Sequence, residues 1–342
     1  MSAAGGDEPR FRADLEISAP SAGDRPRVVV WDPRGERELF LGTKELAVAR
    51  LFDGRRTAEE VRGAAAQALG GRLGLEQVLA LRQKLIDLGV LEAPGAAPPP
   101  SPANPFTGAP QRGAARLLQL RLVTLRGDAW VRRLLARAPW LGRPAALVAL
   151  GLVTLAGAAA LVRSRDLLSG ELAALVPLTW ATAVWVVASG AAGNALHELG
   201  HAVACCAQGV PVRTTGVMLR YFFLSAWVRP AAALAERPRA GRWVAALAGP
   251  AVSFAIAGAS ALAWSVAEAP AARHAWLCAA VSNAFGGGLT LVPFHQGDGY
   301  QIVADALGRP GLRDERGFRA GVVVWRAFLW ALIGWVLWRT FA

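Results

Sequence analysis

The residues best suited to chemistry stand together in Ala195-Leu196-His197-Glu198-Leu199-Gly200-His201, inside a long apolar stretch. On a helix, residues four apart share a face one turn apart, so the two imidazoles can grip one metal ion. Glu198 sits beside them, placed to take a proton from a metal-bound water. A histidine pair with a glutamate on an amphipathic surface helix would be a modest signal. Inside an apolar span, each charged side chain costs about 2.5–3.5 kcal/mol on insertion scales, and such a group marks a functional site.

A catalytic zinc takes three protein ligands and keeps a fourth position for water. The third candidate is Asp298, in Gly297-Asp298-Gly299-Tyr300 just beyond Pro293-Phe294. If the apolar segments are spans, those carrying His197/His201 and preceding Asp298 run in the same direction, so all three groups reach a similar depth. Asp166, Glu171 and Glu268 fall at the opposite face, and Asp128 and Asp305 lack a second motif feature. Cys205 lies one turn past His201 and reads first as a small packing residue. Gly286-Gly287-Gly288 reads as close helix packing or as a place where an extended strand could approach the backbone.

Other elements must position these groups. The chain has 342 residues, 54% of them hydrophobic and 18% charged, with a formal net charge of +12. Three cysteines exclude a disulfide scaffold. The basic excess suggests nucleic acid until it is divided along the chain. Residues 1–100 carry a net −1, and residues 101–342 a net +13. Arginines between long apolar runs are what the positive-inside rule produces, so no nucleic-acid partner is expected and the lipid bilayer is. Five spans are predicted, near 144–162, 172–207 (bent near Ser189-Gly190), 243–267, 275–294 and 320–338. With the N-terminus inside, loop arginines number eighteen on the inner face against four outside. That places the N-terminal domain and the His/Glu/Asp constellation on the cytoplasmic side of a multi-pass cell-membrane protein.

The remaining divisions follow from pattern. Residues 1–26 show no signal peptide and read as a flexible N-terminus. Residues 27–93 predict two short strands and three helices, with a capping box at Thr57/Glu60, in the order of a winged helix. The run "LFDGRRTAEEV" followed by "LRQKLIDLGVLE" resembles the PqqD-like peptide-recognition domain, which implies capture of a leader peptide by strand addition. Residues 94–111 form a linker with seven of the 21 prolines. Residues 112–143 carry eight arginines and read as a basic juxtamembrane segment at the inner surface. Residues 144–342 form the membrane-embedded domain. The expected fold class is an all-α polytopic membrane protein of about five transmembrane helices, with a small N-terminal winged-helix-like α/β domain.

Three ordered motifs carry a wider resemblance. "ALHELGHAVA", "AALAGPAVSFAIA" and "LTLVPFHQGDGYQIVADALG" resemble the site-2 protease family of membrane-embedded zinc metallopeptidases. Asp-Gly-Tyr, "YFFLSAWVRP" and the N-terminal domain resemble its branch of peptide zinc metalloproteases that accompany ribosomally made peptides. The resemblance implies Zn2+ on His197, His201 and Asp298, with Glu198 as general acid/base. It implies a membrane-embedded zinc metalloendopeptidase acting on a peptide or membrane-anchored protein substrate, in peptide maturation, with a peptide exporter as a further partner. Alternatives are regulated intramembrane proteolysis of a membrane-anchored regulator and a non-catalytic peptide-binding export partner. The chain departs from the family where asparagines are usual: Thr290 and Val292 occupy the candidate positions before Pro293, and Ser253 follows Gly249-Pro250. His295 and Thr290 become the candidates for oxyanion stabilisation or substrate positioning.

Overall fold

The structure, a computed structural model, describes residues 8–17, 27–34, 37–70, 73–94, 119–176, 178–220, 223–295, 297–308, 312 and 315–341. The chain divides into two compact units, Met1–Arg116 and Leu117–Ala342. The predicted linker from residue 95 onward lies outside the described residues.

In the first unit, β1 (Arg10–Phe11) and β2 (Glu16–Ile17) precede the hairpin of β3 (Arg27–Asp32) and β4 (Arg37–Gly42). Helices α1 (Thr43–Ala49), α2 (Ala58–Leu69) and α3 (Leu75–Asp87) follow, then β5 (Leu91–Glu92). The predicted order of two strands and three helices is present. Thr57 Oγ1 accepts the Glu60 amide, and Glu60 Oε2 accepts the Thr57 amide at 2.8 Å, closing the expected capping box. Gly89, at φ +65°, turns the chain out of α3, a conformation that favours glycine. Val28, Val30, Leu41, Phe52, Val61, Val78 and Leu85 form the core.

Residues 8–17 correct the expectation of a flexible N-terminus. β1 pairs with β5 and β2 with β3, giving sheets β1-β5 and β2-β3-β4. Leu15 joins the core, and the Arg12 side chain is 3% exposed. Its guanidinium donates to Asp32 Oδ1 at 2.7 Å, Asp14 Oδ2 at 2.8 Å and the Gly89 carbonyl at 2.7 Å. A buried charge fixed by three acceptors needs its segment folded.

The second unit corrects the all-α expectation. Its elements are β6 (Gln119–Arg126), α4 (Ala129–Arg137), α5 (Pro144–Arg163), α6 (Arg165–Ala173), α7 (Trp180–Ala207), β7 (Val212–Arg220), β8 (Phe223–Pro230), α8 (Arg239–Val266), α9 (Pro270–Leu291), α10 (Asp298–Ala306) and α11 (Arg316–Phe341). Within the basic stretch 112–143, the described residues from 119 onward supply a strand and a short helix rather than one amphipathic segment. β6, β7 and β8 form an antiparallel sheet in that order. The β6 register shifts between Arg121 and Val123, so Leu120, Val123 and Leu125 oppose Leu219, Val217 and Thr215 on one face. Without that bulge at Leu122, the two halves of β6 would present opposite faces.

Among the described residues, three helices, α5, α8 and α11, are long and apolar enough to cross a membrane. α7 and α9 match the second and fourth predicted spans in position, but polar residues lower their hydropathy: Asn194, His197, Glu198 and His201 in α7; Arg273, His274 and Asn283 in α9. Helix α7 is continuous through Ser189-Gly190, so the second predicted span is not broken there. The interruption comes earlier, between α6 and α7. Ser189 Oγ instead donates to the Trp185 carbonyl at 2.6 Å and meets Ser282 Oγ at 2.9 Å.

α8 is the most enclosed of the three and packs against α5, α7 and α9. Small residues permit this. A Cβ on Gly157 of α5 would enter the backbone of Gly258 of α8, so the helices cross at glycine on both sides. Gly287 rests on Ser253 and Phe254, whereas nothing lies within 4 Å of a Cβ on Gly286 or Gly288. Helix packing therefore accounts for one residue of the glycine triplet.

Candidate metal centre

Helix α7 carries His197 and His201 on one face, as the spacing requires. Asp298 reaches them from another part of the chain. It begins α10, after α9 has ended and the short turn Pro293–His295 has reversed direction. Two glycines make that return possible: a Cβ on Gly297 would lie 2.9 Å from the Thr290 carbonyl oxygen, and one on Gly299 would enter the Leu291 carbonyl. Tyr300 then packs edge-on against Phe318 of α11, with ring centroids 5.4 Å apart, fixing the start of α10.

One ligand atom from each of His197, His201 and Asp298 lies within 4.8 Å of the other two. The two Nε2 atoms are 3.1 Å apart. His197 Nε2 is 3.3 Å from Asp298 Oδ2, and His201 Nε2 is 3.2 Å from Oδ1. Around a tetrahedral ion with bonds of about 2.0–2.1 Å, neighbouring ligand atoms lie about 3.3 Å apart. The spacing matches. The side chains are 5%, 14% and 14% exposed, so the group is enclosed but reachable.

The two imidazoles are held from behind by α8. His201 Nδ1 lies 2.7 Å from the Ala245 carbonyl oxygen, and His197 Nδ1 lies 2.9 Å from Ser253 Oγ. A carbonyl only accepts, so the His201 proton is on Nδ1 and Nε2 is directed at Asp298. Between them, Gly249 faces the Nε2 atoms. A Cβ there would lie 2.6 Å from His197 Nε2 and closer still to His201 Nε2. Gly249 keeps open the space that an ion on these three residues needs.

Glu198 lies next to this group without belonging to it, half-buried, with the Val228 amide of β8 facing its carboxylate. β8 is fastened to α7 one turn earlier, where Asn194 Oδ1 accepts the Ala226 amide at 2.6 Å. Sequence reasoning passed over Asn194, although it lies on the same helical face as Glu198, four residues before it.

The other candidates fare differently. Thr290 donates its hydroxyl to the Gly287 carbonyl at 3.0 Å, an intrahelical bond that occupies its proton. The backbone of His295 lies in the turn before Asp298, but its side chain is outside the described residues. Cys205 is buried among Val131, Ala202, Val210 and Ala245, in an apolar cluster rather than at the metal group. Three of the acids set aside have partners of their own. Glu171 accepts from Trp264 Nε1 at 2.6 Å and pairs with Arg273; Asp128 pairs with Arg132 at 2.8 Å; Asp305 accepts from Trp243 Nε1 at 2.8 Å and pairs with Arg242. The Asp305 contacts tie α10 to α8, beside a cleft of about 320 Å³ lined by Pro230, Leu234, Trp243, Ala246 and Ile302.

Comparison with protein-family models, with curated proteins and with solved structures finds no match.

Proposed function

We propose that this protein is a membrane-embedded zinc metalloendopeptidase. The observation that carries the reading is the convergence of His197, His201 and Asp298 beside Glu198. Two imidazoles and one carboxylate are a donor set suited to a catalytic zinc with one position left open. When bound, zinc supplies Lewis-acid polarisation of a carbonyl and a water acidic enough to attack near neutral pH. Glu198 accepts the proton of the attacking water and returns it to the departing amine. Ala245 and Ser253 hold the rings, and Gly249 keeps their facing atoms clear.

The bilayer supplies the setting. α5, α8 and α11 span it, and α7 and α9 complete five spans, with His197, Glu198 and His201 of α7 at the enclosed site. The arginine distribution orients the N-terminal unit and the site to the cytoplasm. The N-terminal unit acts as a winged-helix-like, PqqD-like recognition domain, and a leader segment adds to the edge of the β2-β3-β4 sheet. Tethered capture of that kind raises the local concentration of the peptide at the site. The substrate is a ribosomally made peptide, unfolded enough to enter as an extended strand.

Isolating the Glu198→Gln protein and identifying bound peptides by mass spectrometry tests the reading. Glutamine cannot take the water proton, so an uncleaved peptide is expected to co-purify, with its cleaved form accompanying the wild type. The same uncut peptide on both proteins would contradict peptidase activity.

A further inference from the structure

Helix α8 meets the metal-ligand group along one stripe, Ala245, Gly249 and Ser253, spaced four residues apart on a single face. Each position does something different. Ala245 offers a backbone carbonyl to His201 at 2.7 Å, Gly249 offers open space, and Ser253 offers a hydroxyl to His197 at 2.9 Å. The two imidazoles therefore have unequal partners. The Ala245 carbonyl only accepts, which leaves His201 one way to carry its proton. A hydroxyl both donates and accepts, so it is compatible with either proton position on His197.

We infer that Ser253 is a positioning residue for His197: its oxygen accepts the Nδ1 proton, which leaves the Nε2 lone pair directed at the ion. The inference rests on the metal-site reading above and deepens it. Ser253 is 4% exposed, so water does not compete for this bond. A Cβ built on Gly287 of α9 would lie 2.9 Å from the Ser253 Cβ, so α9 closes over the Ser253 side chain at a glycine. Such outer partners fix ring orientation and ligand basicity, and their loss typically costs 10–100-fold in metal affinity.

The test compares zinc affinity, by competition with a chromophoric chelator, in wild type, Ser253→Ala and Ser260→Ala. Ser260 is an equally buried serine two turns further along α8 (4% exposed) and controls for loss of a hydroxyl from this helix. Ser253→Ala should bind zinc about 10–100-fold more weakly, and Ser260→Ala within about twofold of wild type. Substitution with Co2+ adds a spectroscopic readout: the ligand-field bands should shift in Ser253→Ala and not in Ser260→Ala. Equal losses in the two variants, or unchanged affinity in Ser253→Ala, would overturn the role of Ser253 while leaving the metal site standing. A wild type that binds no zinc would overturn both.

Discussion

A Cβ atom on Gly249 would lie 2.6 Å from Nε2 of His197, inside the space shared by the two imidazoles. The helix that follows the sheet is thus brought against the helix carrying both histidines at a residue with no side chain. Gly249→Ala should therefore abolish metal binding. Alanine improves helix propensity by about 1 kcal/mol over glycine, so the loss is not one of helix formation. Metal content by inductively coupled plasma mass spectrometry should fall from about one equivalent to near zero. A variant that keeps a full equivalent would show that the ion lies elsewhere.

The Asp298 carboxylate is the candidate ligand contributed from outside α7. Asp298→Asn preserves shape but removes the charge that a divalent ion requires. Zinc affinity should drop by at least as much as for loss of an outer-sphere partner, 10–100-fold or more. Asp305→Asn, at the other end of α10, should weaken the anchor to α8 and lower affinity less. Isothermal titration with zinc would give the order.

In the N-terminal unit, the Arg12 guanidinium donates to Asp32 Oδ1 at 2.7 Å, and the Asp32 side chain is 0% exposed. Arg12→Met would break this buried ion pair, a change that costs about 3–5 kcal/mol. Urea-dependent hydrogen exchange in the full-length protein should show the loss in the amides of α1–α3. Unchanged protection would mean that the buried pair does not hold the segment.

The same cluster sets a pH dependence. Hydrogen bonding from Arg12 holds the Asp14 carboxyl below the usual carboxylate range, against the effect of burial, with Arg12 and Arg34 adding charge attraction. A group whose folded pKa is depressed stabilises the fold above its unfolded value and ceases to do so as pH falls through the folded one. Protection of the N-terminal unit should thus be constant above about pH 4 and decline below it. Asp14→Asn should flatten that acid limb.

How much of this was legible in the sequence depended on range. His197, Glu198 and His201 lie within five residues, and helical periodicity alone puts the histidines on one face. Asp298 could be reached because its glycine-flanked turn ends an apolar segment. Their supports could not. The Ala245 partner is a backbone carbonyl, available at any residue type, and Ser253 is one small polar residue 56 positions from its histidine. The pairing of β6 with β7 joins residues about ninety positions apart, and alternating Leu and Arg in β6 serves an amphipathic segment equally well. β1 was hidden in the same way, since a strand of two residues finds its partner only near residue 91.

The most direct test of the central claim is a paired hydrolysis assay. Wild type and Glu198→Gln, each loaded with zinc and reconstituted in lipid, would be incubated with a proteome-derived peptide library, and new termini counted by mass spectrometry. The account predicts new termini with wild type and none with Glu198→Gln, although both carry one equivalent of zinc. Equal cleavage by the two proteins would contradict it.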